Sequence, residues 1–166
     1  MTAADIPLVL DWLRQPHVSM WWPWNELMQD ELTRGLQAPW MRYFILTLDG
    51  APFGFLQVYD IWKEHACAAD HEDASASGPY DDQPPGTVGI DQFIGREELL
   101  GQGHGSAAIR LVVDHLLATG TPRVVTDPDP ANPRAIRAYA KAGFQPLGER
   151  DGDEGRVLLM AREPAA

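Results

Sequence analysis

The run Gly101-Gln102-Gly103-His104-Gly105 lies between a strand-like stretch and a strongly helical one. Glycines in that place let backbone N–H groups approach an anion, and the N-terminus of the following helix adds about half a positive charge, so a phosphate or pyrophosphate is the natural guest. Two familiar nucleotide loops are excluded. A Walker A loop ends in Gly-Lys-Ser/Thr and a dinucleotide loop reads G-x-G-x-x-G, whereas the third residue after Gly103 is Ser106. A plain tight turn accounts for the same glycines without any ligand. Trp21, Trp22 and Trp24 crowd one short break, where they cannot all be buried without cost, and aromatic faces suit sugar rings and cations; Trp22 is the leading candidate. His65, Cys67 and His71 have loose metal-ligand spacing, but no fourth strong ligand accompanies them, and no metal is expected.

These residues need a scaffold. Ile6, Val9, Leu10 and Leu13 recur at helical spacing behind Asp5 as a cap and Pro7 in the first turn, and a second helix is expected over residues 25–36 after the Trp-Pro-Trp break. Two β-rich runs, 43–48 and 53–59, flank Asp49-Gly50, a hairpin signal. A third strand is expected over 87–94, then a helix over 106–118, a strand at 123–126, a helix over 132–142 closed by Gly143, and strands near 144–149 and 156–161. The expected order is α-α-β-β-β-α-β-α-β-β.

At 166 residues the chain suits one domain, expected over 1–166, and no internal repeat or linker divides it. No run of about 18 apolar residues exists to form a membrane span, and no basic stretch precedes an apolar one at the start, so a cytoplasmic location is expected. One cysteine, Cys67, cannot form an internal disulfide. The formal charge of −11 repels nucleic acid and anionic membranes and favours a cationic partner. Much of that charge lies between Asp60 and Asp82, where seven acids face one base, Lys63. The segment from about 62 to 86 is poor in aliphatic residues and rich in Ala, Ser, Gly and Pro, and is expected to be a mobile surface loop, functional or merely solubilising.

The glycine loop together with Asn132-x6-Tyr139-x3-Gly143-Phe144 resembles the GNAT acetyltransferases, whose acyl-CoA pyrophosphate loop is followed by that second motif; the match runs from about Val88 to Phe144. Trp21-Trp22, Phe55-Leu56-Gln57-Val58-Tyr59, Gly89-Ile90-Asp91-Gln92, Leu100 to Gly105 and Thr126-Asp127-Pro128 are similar to the aminoglycoside 6′-N-acetyltransferases, which extends the resemblance over nearly the whole chain. The sequence departs from the family in having Leu100 where Arg or Gln is usual, although Leu is common in this branch. It also starts at a helix where members have a strand, and its 62–86 segment is longer. A related branch that acetylates siderophore-type amines usually carries His where this chain has Asp91.

The resemblance implies a mixed α/β fold: a mostly antiparallel central sheet, its first strand missing, with helices on both faces. It implies acetyl transfer from acetyl-CoA to a primary amine of a cationic small molecule, an aminoglycoside 6′-amine foremost, by direct attack in a ternary complex. The alternatives are a hydroxylysine, siderophore or polyamine-type amine, or a non-catalytic acyl-CoA sensor. A monomer or homodimer is expected. An ammonium with a pKa near 10 must lose a proton before attack, so Asp91 is implied to bind it and accept that proton. Tyr139 is implied to protonate the departing thiolate, and its alternative is plain packing. Acetyl-CoA would be held by Phe93, Ile94, Gln102, Gly103, His104, Gly105, Ser106 and Asn132, the last also readable as a helix cap. His104 is expected to face solvent rather than take part in chemistry. The amine would meet Trp22, Gln57, Tyr59, Asp91 and Asp127, while Asp129 is equally suited to shaping its turn.

Overall fold

A computed structural model describes residues 1–63, 79–152 and 155–165. His65, Cys67 and His71, where no metal is expected, and most of the acidic loop lie outside the described residues. The helices are α1 (Ile6–Leu13), α2 (Pro16–Ser19), α3 (Met28–Gly35), α4 (His104–Ala118) and α5 (Pro133–Lys141). The strands are β1 (Met41–Leu48), β2 (Ala51–Asp60), β3 (Val88–Ile94), β4 (Val124–Thr126), β5 (Gln145–Gly152) and β6 (Gly155–Arg162). They form one sheet in the order β1-β2-β3-β4-β6-β5, antiparallel throughout except for β3 beside β4. The expected mixed fold with a mostly antiparallel sheet is the one observed.

Asp49 and Gly50 join β1 to β2 with φ of 50° and 80°, the two positive values of a type I′ turn, whose twist matches that of the flanking strands. A register shift between Leu46 and Thr47 pairs them with Gly54 and Pro52, so the skipped Phe53 turns to the same face as Leu56 and Val58. That face packs with Ile109, Val113 and Leu116 of α4 and with Tyr139 of α5. The opposite face carries Phe55 and Phe93 against Val9, Leu10 and Leu13 of α1, with Leu32 of α3. Helices therefore cover both faces.

Several expectations are corrected. Asp5 makes no capping bond to α1; its carboxylate instead accepts from the Thr2 amide (2.7 Å) and hydroxyl (3.1 Å) across a preceding 3-10 turn. The second expected helix starts at Met28 rather than Asn25, because the Asn25 side chain takes the Leu27 amide (2.8 Å) and closes a turn. The short α2 lies between the first helix and the Trp-Pro-Trp break, where no element was expected. The C-terminal end of the 62–86 segment is packed: Tyr80 is buried and Gln83 is 4% exposed, held by Arg123 (3.0 Å).

Candidate functional site

The site begins with a failure of pairing. β3 and β4 align in parallel only at Val88 with Val124 and Gly89 with Val125, after which the two strands part. Val88 gives its amide to Arg123 O (3.2 Å), so strand alternation turns the main-chain groups of Ile90, Gln92 and Ile94 to the same side, toward the gap. The Ile94 carbonyl meets His17 Nε2 there at 3.0 Å. A cleft of about 1230 Å³ opens at this point.

One wall is the glycine loop. Gly103 caps α4 with φ 89°, a left-handed conformation that an L side chain enters only with strain, and a Cβ added there would meet open space. The turn thus leaves the first amides of a fifteen-residue helix facing the cleft without intrahelical acceptors. At Gly105 the constraint is slighter: a Cβ there would lie 2.8 Å from Gln92 Nε2, the end of a side chain that would have to shift. Gly103, Gly105 and Ser106 line the cleft, as do Phe93, Ile94 and Asn132. Two candidates turn away. Gln102 gives its side-chain amide to Glu98 O (2.6 Å), and the His104 ring packs on Phe53 at 5.8 Å, half-buried instead of facing solvent. Asn132 caps α5, accepting the Ala135 amide at 3.0 Å, so its side-chain oxygen is already engaged.

The chemistry-bearing side chains come from β2, β3, β4 and α5. Asp91 on β3 stands opposite Gln57 of β2, which donates to it at 2.9 Å. Burial pushes the Asp91 carboxyl above its ordinary value, opposed by the hydrogen bonds from Gln57 and Tyr59. Tyr139 is 5% exposed and its ring meets Phe144 edge-on at 5.5 Å. Burial, then the Asp91 charge, drives its phenol far above the ordinary tyrosine range, while Thr126 and the Gln92 backbone oppose the shift; the hydroxyl keeps its proton. Tyr139 is thus both packed and lining the cleft. Asp127 follows the end of β4 and lines the cleft, whereas Asp129 also accepts the Ala131 amide (2.7 Å) and shapes its turn. Trp22 stands edge-on to Phe93 at 5.4 Å with one side toward the cleft. Gln57 does not line the cleft and acts on it only through Asp91.

Three features were passed over in the sequence. Tyr80 is buried beside Tyr59, their hydroxyls 3.2 Å apart, and both line the cleft. Gly89 is glycine because Tyr59 lies over it: a Cβ would fall 2.7 Å from the Tyr59 hydroxyl and closer to the ring carbons. Arg134, Arg137 and Lys141, at i, i+3 and i+7 of α5, line the cleft, and none has an ion-pair partner among the described residues. Their spacing on an otherwise acidic chain was the available signal. With the glycine-loop amides they fit a phosphate-bearing group, and Asp91 with Asp127 fits cations.

The family model for an acetyltransferase (GNAT) domain matches residues 1–152, which include the cleft where the two parallel strands part and the glycine turn that opens the next helix; the chain belongs to the GNAT acetyltransferases. It is 29% identical over 171 residues to an aminoglycoside N(6′)-acetyltransferase type 1 of Klebsiella pneumoniae, covering 98% of this chain and 80% of that protein. A kanamycin resistance protein of Rhizobium radiobacter is 38% identical over 79 residues, 47% of this chain and 73% of that one. Among solved structures, the aminoglycoside acetyltransferase AAC(6′)-Ib in complex with coenzyme A and kanamycin superimposes with a TM-score of 0.82 at 30% identity, covering 98% of this chain and 91% of that one. Among the described residues no helix is long and apolar enough to cross a membrane.

Proposed function

We propose that this protein transfers the acetyl group of acetyl-CoA to a primary amine of an aminoglycoside, the 6′-amine foremost, within a single domain. The observation that carries the reading is the sharing of one cleft by an anion-binding helix terminus, two carboxylates and a proton-bearing buried phenol. Likeness to the aminoglycoside acetyltransferases supports the choice of acceptor.

Acetyl-CoA supplies a thioester carbonyl as the acyl donor. Gly103, Gly105 and Ser106 offer amides to its pyrophosphate, Arg134, Arg137 and Lys141 offer charge, and Phe93 and Ile94 line the path of its arm. The Gln92 backbone, which hydrogen-bonds the Tyr139 phenol, holds that hydroxyl at the gap. At the acceptor end Asp91 binds the reacting ammonium. Its raised carboxyl value narrows the gap to an amine, and it takes the proton directly or through one water. Tyr139, still protonated, is the group available to return a proton to the departing sulfur. Asp127 binds a further ammonium, and Trp22 offers a ring face to a sugar.

The test is release of free CoA thiol from acetyl-CoA across a panel of kanamycin, ribostamycin, spermidine, a hydroxylysine-type amine and a neutral monoamine. The reading expects kanamycin or ribostamycin to be preferred. Preference for spermidine or hydroxylysine would reassign the acceptor. Acetyl-CoA binding without thiol release for any amine would make the chain a sensor.

A further inference from the structure

Tyr80 sits in the segment just ahead of β3, in the run Gly78-Pro79-Tyr80-Asp81-Asp82, where composition favours solvent. It is nevertheless 7% exposed, packed with Ile61, Val125, Leu159 and Ala161. A phenol hydroxyl in such company needs partners. One is Tyr59 Oη at 3.2 Å and another is the Asp127 carboxylate, to which Tyr80 donates. Burial and the charges of Asp127 and Asp91 hold its phenol well above the ordinary range, so it remains a donor at any working pH.

The main chain at Tyr80 is pinned from two sides. Its carbonyl accepts the Gln83 amide (2.9 Å), Gln83 Oε1 accepts from Arg123 (3.0 Å), and Arg123 pairs with Glu163. Arg150 of β5 reaches Asp82 at 3.3 Å. The position of the ring therefore rests on the sheet. Asp127 lies in Thr126-Asp127-Pro128-Asp129-Pro130 at the end of β4, and the Tyr80 hydroxyl reaches its carboxylate. The described surroundings thus give Asp127 an orienting donor from Tyr80.

We propose that Tyr80 is a positioning residue that fixes the Asp127 carboxylate in the cleft and thereby sets the preference for acceptors carrying a second ammonium group. The proposal rests on the reading above that a cationic amine enters at Asp91 and Asp127. Asp91 engages the reacting nitrogen, so an acceptor with one amine leaves Asp127 unused and feels Tyr80 only through Tyr59.

The experiment compares wild type, Tyr80→Phe, Asp127→Asn and the double variant, with kanamycin and with an uncharged sugar bearing one primary amine. Saturating acetyl-CoA keeps each variant in its folded state. Loss of a hydrogen bond to a charged group predicts a rise of about tenfold in the kanamycin KM for Tyr80→Phe. The monoamine KM, the acetyl-CoA KM and kcat should stay within about twofold, a precision that reliable KM and kcat measurements allow. Tyr80→Phe should add nothing in the Asp127→Asn background. An unchanged kanamycin KM, an equal rise for both acceptors, or additive effects in the double variant would each overturn the proposal while leaving the function standing. If wild type acetylates neither acceptor yet binds acetyl-CoA, the acceptor reading falls, and the proposal falls with it.

Discussion

Gly89→Ala is a single-methyl test of the architecture at the acceptor end. Gly89 does not adopt a positive φ, so alanine suits its backbone and the whole effect is steric. The new methyl would sit 2.7 Å from the Tyr59 hydroxyl, where ordinary contact begins near 3.4 Å; that atom is 0.7 Å short of room, and the ring carbons are closer still. Tyr59 is 4% exposed and cannot swing freely into solvent. Its displacement lengthens the 3.2 Å contact to Tyr80 and withdraws the hydroxyl that helps hold Asp91. Overpacking of this kind costs roughly 1–3 kcal/mol, which in a chain of this size lowers Tm by about 3–10 °C. The glycine loop is untouched, so the rise in Tm with acetyl-CoA should keep its size while the kanamycin KM increases. Gly89→Ala/Tyr59→Leu, with the ring removed, should recover most of the lost Tm without recovering KM. Differential scanning fluorimetry with and without acetyl-CoA, beside thiol-release kinetics, reads both. A Gly89→Ala protein with unchanged Tm and KM would refute the reasoning.

Gly103→Val forces a β-branched residue to φ near 89° at the N-terminus of α4, and should abolish the acetyl-CoA-induced rise in Tm measured by fluorimetry. Asp91→Asn should lower kcat/KM for kanamycin by about 10²–10⁴, as for a lost general base, and remove the acid limb of its pH profile, which wild type should show above the ordinary carboxylate range. Stability should respond with the opposite sign. Because burial raises the folded-state value of Asp91 above its unfolded one, the folded protein holds that proton longer, and stability is lost as pH rises through the interval between the two values. At neutral pH the ionised carboxylate is therefore a cost, so Tm of Asp91→Asn should equal or exceed that of wild type in thermal melts. Tyr139→Phe keeps the packing against Phe144 and should reduce kcat by about ten- to a thousandfold with little change in amine KM, read by steady-state kinetics.

The parts of this fold legible in the sequence are those whose cause is local. Asp49-Gly50 marks its hairpin because few other pairs adopt two positive φ values, and the apolar spacing of Ile109, Val113 and Leu116 marks α4. Asn25 misleads because the same side chain that can cap a helix here closes a turn two residues long. Most of the loop and carboxylate candidates line one cleft, since strand ends and helix starts gather wherever strands part. Gln102 and His104 were legible by position only; their side chains find Glu98 O and Phe53, which spacing in the chain does not announce. Tyr80 was illegible for a stronger reason: its partners Tyr59 and Asp127 are far away in sequence, and its neighbours are acids and prolines that speak for solvent.

The half-buried Asp91 beside Gln57 has a bearing on turnover as well as on attack. If Asp91 binds the reacting ammonium as proposed, acetylation turns that nitrogen from a cation into a neutral amide, so the Coulombic part of the attachment vanishes when the reaction finishes. Once the proton it accepted has passed to solvent, the carboxylate is left in a partly dry setting with only neutral donors, and a fresh ammonium offers it more than the amide can. On the proposed reading the acidic end of the cleft ejects its own product by exchange, and each turnover leaves the acceptor with one positive charge fewer.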